Sequence, residues 1–317
     1  MSSSLDYNAY LALIEKNLYA IGGPIIIILG TICSIISLFV FCQKKLRKNP
    51  CAIYFISINI SNLFYIYSSI LIISLSFGYN IDLSSYNIIT CRLLYYCSLL
   101  FDCLSAFYLI LASLDRVLVT SPNALTRQRS TLHLAYKSVI IGTLFWMLFH
   151  SHTLFLVDFY ELAPGYFVCY FQPGLYANLI GYYSTIVRGI LMFALLIIFG
   201  IWTGKNLQNV NRHRIIPIAH TSVNTLGNQE NIIRSKTRQF ALMLLMEILI
   251  NIVFYAMLSI TGIYEQIATS ESQTTFYYFI RLIASFIGNI PLCASFMGNL
   301  FISKTFRSEV KRILSCN

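Results

Sequence analysis

Charge is what this 317-residue chain has least of: 11% of its residues are Asp, Glu, Lys or Arg, against roughly 25% in a soluble globular protein. With 57% hydrophobic residues and a mean hydropathy of +0.70, polar surface is too scarce to wrap an apolar core. A water-soluble domain is excluded, and an all-α integral membrane protein is expected. Catalytic equipment is also missing. There is no metal-ligand cluster, nucleophile motif or phosphate loop, and His133, His150, His152, His213 and His220 are scattered. His150 and His152 lie too close together on a helix to face one way. No enzyme activity, cofactor or nucleic-acid partner is expected. The chain has no internal repeat, which counts against transporters built from duplicated halves. The first 17 residues lack the basic start and cleavage site of a secretory leader, so the first apolar segment is expected to act as its own anchor. The one Asn-x-Ser/Thr site, Asn59-Ile60-Ser61, falls inside an apolar segment.

Seven apolar segments are each long enough to span a bilayer, at about 19–43, 51–77, 91–119, 134–159, 175–204, 239–263 and 275–302. Aromatic content is 15%, suited to interface belts and a rigid pocket lining. Eighteen of the 22 lysines and arginines fall in alternate connections and the tail. They are Lys44, Lys45, Arg47 and Lys48; Arg116, Arg127, Arg129 and Lys137; Lys205, Arg212, Arg214, Arg234, Lys236 and Arg238; and Lys304, Arg307, Lys311 and Arg312. Cytoplasmic loops collect positive charge, so seven spans with the N-terminus outside are expected. From Lys304 to Leu314, Phe306, Val310, Ile313 and Leu314 alternate with basic residues, the pattern of a helix lying on the membrane surface. The expected organisation is an extracellular segment 1–18, a seven-helix domain 19–303 and an amphipathic tail 304–317.

Segment three, CRLLYYCSLLFDCLSAFYLILASLDRVLV, runs from Cys91 to Val119. Cys91 to Arg116 covers about 37 Å of helix at about 1.5 Å per residue, enough to place a cysteine at one interface and Asp115-Arg116 at the other. This spacing resembles the third transmembrane helix of rhodopsin-like (class A) G-protein-coupled receptors, and the resemblance extends from about residue 20 to 314. It implies a disulfide from Cys91 to the second outer loop, where Cys169 stands, and a coupling switch at Asp115-Arg116. In that family the arginine is held by its neighbouring acid until activation. Trp146 in segment four, Asn49-Pro50 opening segment two and Phe306-Arg307 also match. Ser303 to Glu309 resembles the surface helix of invertebrate peptide receptors.

The departures are extensive. Val117 replaces the tyrosine of the Asp/Glu-Arg-Tyr triplet. Ser34 stands for the usual asparagine of segment one, and Asn62 for the aspartate of segment two. Losing that aspartate removes the carboxylate oxygen a hard cation prefers. Segment six lacks Cys-Trp-x-Pro, segment five lacks its proline, and Ser295-Phe296-Met297-Gly298-Asn299 replaces Asn-Pro-x-x-Tyr.

Charges inside the apolar segments mark candidate function. Asp102 and Arg188 lie at matching depths in segments three and five, as an ion pair requires; Glu247 in segment six is the competing partner, and separate solvation of each charge is a third arrangement. Arg281 is expected near the mouth of a ligand pocket that also includes Ser98, Asp158 and Glu161. Asp6, Glu15, Asp82, Asp158, Glu161, Glu265 and Glu271 would face outside, against Lys16 and Arg92. Such a surface either is simply solvated or steers a cationic ligand. The resulting expectation is a plasma-membrane receptor that binds an extracellular ligand, a short basic neuropeptide, and activates a heterotrimeric G protein. The rival expectations are a receptor-like protein that no longer couples and a seven-helix transporter.

Overall fold

The structure is a computed structural model, and it describes residues 2–163, 166–212, 224–267 and 275–315. Among the described residues, seven helices are long and apolar enough to cross a membrane: α1 Tyr7–Phe41, α2 Pro50–Gly78, α3 Ile88–Thr120, α4 Leu132–Leu156, α5 Leu175–Asn206, α6 Arg238–Gln266 and α7 Phe276–Ile302. They form an all-α bundle with α3 at its centre. A short helix α8, Lys304–Leu314, follows α7. His213, Arg214, His220, Glu271 and Cys316 lie outside the described residues.

Two segments differ from the sequence expectation. The chain is helical from Ser2, so residues before position 19 extend α1 rather than precede it. At the other boundary, Val157, Asp158 and Phe159 do not end α4. They begin strand β1, Val157–Ala163, which pairs antiparallel with β2, Tyr166–Phe171. Alternating Val, Phe and Glu with Asp and Tyr suits a two-faced strand better than a helix end. Gly174, at φ 98°, then turns the chain into α5.

Prolines explain two irregularities. Pro24 has no N–H to give the Ala20 carbonyl. The helix passes through a π-helical turn at Leu18–Gly22, and Tyr79 donates to the Ala20 carbonyl at 2.9 Å. Ser74 donates to the neighbouring Tyr19 carbonyl at 2.9 Å, which ties α2 to α1. In α7 the ladder breaks into a turn at Asn289 and Ile290, and helix resumes at Pro291. Further π-helical turns occupy Ile66–Ile70 and Ser74–Gly78 in α2 and Ser184–Met192 in α5.

The buried core lies toward the end that carries Asp115 and Arg116. Phe41, Phe55 and Phe306 join Leu104, Tyr108, Leu109, Met243 and Leu244 there. Phe306 packs its ring 5.4 Å from Phe41 and 5.8 Å from Phe296, seating α8 beneath α1 and α7. Ser303 caps α8 by accepting from the Phe306 N–H at 3.1 Å.

Candidate functional site: a paired-charge cavity and a buried arginine

At the hairpin end of the bundle, Cys91 and Cys169 form a disulfide with Cα atoms 5.8 Å apart. Two further bonds pin the hairpin to α3. The Arg92 Nε donates to the Val157 carbonyl at 2.9 Å, and the Tyr95 hydroxyl to the Cys169 carbonyl at 3.0 Å. Arg92 also pairs with Asp158 at 3.4 Å.

Below the hairpin lies a cavity of about 490 Å³, lined by residues of α2, α3, α5, α6, α7 and β2. Asp102 and Arg188 meet on its wall as an ion pair. Arg188 donates a second bond to the Tyr255 hydroxyl at 2.8 Å and stands 5.1 Å from the centre of that ring. Of the two partners open to Arg188 in the sequence, the structure selects Asp102, with Tyr255 in support. Near the hairpin, Arg281 pairs with Glu265, and both line the cavity. Asn62 accepts from Ser105 at 2.7 Å, so α2 and α3 are bonded on the cavity wall. Glu247 and Ser295 stand on the same wall, with Glu247 against Ser295 and Asn299.

Three expected pocket residues take other places. Ser98, Asp158 and Glu161 are not among the residues lining the cavity, whereas Leu99 and Asp102 are. Ser98 sits one residue before the cavity-facing stripe of α3, about 100° around the helix from Leu99. Asp158 is drawn aside by Arg92 in the hairpin.

At the opposite end Arg116 is fully buried, at 0% exposure. Its Nη2 donates to Asp115 at 2.5 Å and to the Asn49 Oδ1 at 3.0 Å. Ser130 donates to the other Asp115 oxygen. Thr120 donates to the Arg116 carbonyl at 2.7 Å and accepts from Asn206 of α5 at 3.3 Å. The arginine is thereby latched to α2 and to its own helix, and its helix to α5. Nearby, the Gln239 Oε1 of α6 accepts from Ser303 at 3.2 Å and from Thr305 at 2.8 Å, joining α6 to the start of α8.

Sequence reasoning missed several partners. Trp146 packs among Phe107, Phe145, Phe149 and His150. His150 is buried, its Nδ1 3.0 Å from the Trp146 carbonyl and its Nε2 3.1 Å from the Tyr183 hydroxyl. His152 meets Tyr176 at 2.8 Å. Both histidines therefore bridge α4 to α5, which the tyrosines of α5 at apolar spacing could have signalled.

No protein-family model matches this chain, and no curated protein matches it.

Proposed function

We propose that this chain is a rhodopsin-like G-protein-coupled receptor of the plasma membrane, with its hairpin end outside and α8 in the cytoplasm. An extracellular ligand enters the cavity and a heterotrimeric G protein meets the opposite end. The observation that carries this reading is the coexistence, in one bundle, of a walled cavity at the hairpin end and a latched, fully buried arginine at the other. Helix α3 contributes Asp102 to the first and Asp115-Arg116 to the second, so a shift of α3 against α5 and α6 touches both. A ligand that binds better when the latch is open moves a pre-existing equilibrium toward the open state. The preferred ligand is a short basic peptide, on the strength of the acidic outer residues. The chain acts in this reading as a receptor and not as an enzyme.

The broken α7 and the charged cavity favour a second reading, a seven-helix transporter, since interrupted helices at membrane depth line substrate paths. A third, a receptor-like protein that does not couple, is motivated by the altered residues of α6 and α7. Ligand-dependent guanine-nucleotide exchange on a G protein, measured with the chain in reconstituted membranes, separates the three. Exchange supports the receptor, ligand flux without exchange supports the transporter, and binding alone supports the silent receptor.

A further inference from the structure

Three carboxylates stand on the cavity wall: Asp102, Glu265 and Glu247. Two of them already hold cations, Asp102 with Arg188 and Glu265 with Arg281. Glu247 is 5% exposed and pairs with no cation among the described residues. Its Oε2 is buried and receives no hydrogen bond. The side chains of Ser295 and Asn299 bond to the carboxylate yet leave that oxygen unmet, and the Asn251 amide is turned to the Glu247 backbone carbonyl at 2.8 Å. Two buried acceptor oxygens, the Glu247 Oε2 and the Asn299 Oδ1, therefore remain without a donor at this part of the cavity.

A buried carboxylate is stable only when paired or fully hydrogen-bonded. What would complete this one is a positively charged group with several N–H donors. The wall shared by α3 and α5 includes Leu109, Met192, Phe193 and Leu196. An apolar wall of that kind strips a hydrated inorganic ion of its shell but welcomes an aliphatic stem. The cavity's volume of about 490 Å³ falls in the range of small-molecule sites.

We propose that Glu247 docks the cationic head of a ligand, a primary ammonium or guanidinium carried on a slender aliphatic stem. The inference rests on the cavity being the ligand site and deepens that reading. It assigns charge recognition to α6 instead of to Asp102, which Arg188 already occupies. An alkylamine, or the lysine or arginine tip of a peptide, has the required chemistry.

The test uses the purified full chain in lipid nanodiscs, with n-butylamine and butylguanidine as probes and n-butanol as the uncharged counterpart. Both cations at millimolar concentration raise the unfolding midpoint saturably, and n-butanol does not. Glu247→Gln weakens the apparent affinity for both cations by about tenfold or more, equivalent to the loss of a charge-assisted bond. Glu247→Asp, which keeps the charge, retains a saturable response and guards against a folding defect in the first variant. Equal protection by n-butanol, or protection unchanged in Glu247→Gln, overturns the proposal. So does an equal, Glu247-dependent shift when sodium replaces N-methylglucamine, because the occupant is then an inorganic ion. Nucleotide exchange is not part of this readout. A chain that couples but ignores the amines defeats this inference alone, and one that binds them through Glu247 without coupling defeats the receptor reading alone.

Discussion

Arg116 and Asn49 share one oxygen. The Asn49 Oδ1 accepts from the Arg116 Nη2 at 3.0 Å and from the Cys51 N–H at 3.0 Å, so the cap that starts α2 is also part of the arginine latch. Asn49→Ala removes both bonds. Loss of the cap alone destabilises by about 1 kcal/mol, and the freed arginine raises ligand-independent nucleotide exchange. Asn49→Asp keeps the cap and adds a charge opposite the guanidinium, so it lowers basal exchange. On the receptor reading, basal exchange per chain at the cell surface measures both. If the two variants move it in the same direction, Asn49 acts only as a cap.

The α2 cap was readable in the sequence, since Asn49-Pro50 before an apolar run is a helix start. Its second bond was not, because Arg116 is distant in sequence and only folding brings the two together. The seven helices were legible for a plain reason: length and hydropathy alone decide what can cross a bilayer. The hairpin was not, because a short, partly apolar run that ends a helix and one that begins a strand look alike without their pairing partner. The Asp102–Arg188 pair could be narrowed from depth, whereas the choice between Asp102 and Glu247 needed the packing of α6 on α7, which sets Glu247 on the same cavity wall but against Ser295 and Asn299. The missing wall position of Ser98 follows from the rotation of α3 about its own axis, which sequence spacing alone does not fix.

Arg116→Ala leaves ligand affinity within about threefold, a shift under about 0.7 kcal/mol, and abolishes agonist-stimulated exchange. Saturation binding and exchange on the same membranes check it. Normal exchange in this variant places the coupling switch elsewhere than this end of α3.

Reducing the Cys91–Cys169 bridge removes the covalent tie of the hairpin to the top of α3 and leaves it held by non-covalent contacts, the Arg92 and Tyr95 bonds among them. Cys91→Ser and Cys169→Ser each lower stability by about 2–5 kcal/mol, the usual loss for a native bridge, and surface expression falls with it. Non-reducing peptide mapping of protein from the cell surface shows the cross-link directly. Two free thiols at these positions would remove the disulfide from the argument.

Asp102→Asn and Arg188→Gln each strand a charge beside the cavity. Removing one partner of a buried pair destabilises by about 3–5 kcal/mol. Arg188 keeps 24% of its side-chain exposure, which puts these changes toward the lower end. The double variant is less damaged than the sum of the singles, with a coupling energy of about 0.5–3 kcal/mol. Thermal unfolding of the four proteins completes the cycle. Additive losses show that cavity water, and not the partner, carries each charge.

The final expectation concerns how a ligand arrives. Asp82, in the α2–α3 connection, stays ionised at physiological pH: burial pushes its carboxyl up, but hydrogen bonds from Ser84 and Ser85 outweigh burial and hold it below the ordinary carboxylate range. Asp158 is 54% exposed despite its contact with Arg92, and Glu161 lies on the same strand. Neither lines the cavity, so their influence on a ligand acts over distance rather than by contact. Fields of this kind accelerate encounter with a cationic ligand and fade as salt shortens the Debye length to about 8 Å at physiological ionic strength. Asp158→Asn combined with Glu161→Gln therefore slows association of a basic peptide agonist several-fold at low salt and leaves its dissociation rate nearly unchanged. Stopped-flow or surface-plasmon measurements across a salt series resolve the two rates. Steering requires the association-rate difference between native and variant chain to shrink as salt rises. A difference confined to dissociation would place these acids in direct contact with the bound peptide. No difference at any salt would mean that the acidic hairpin is only a solvated surface.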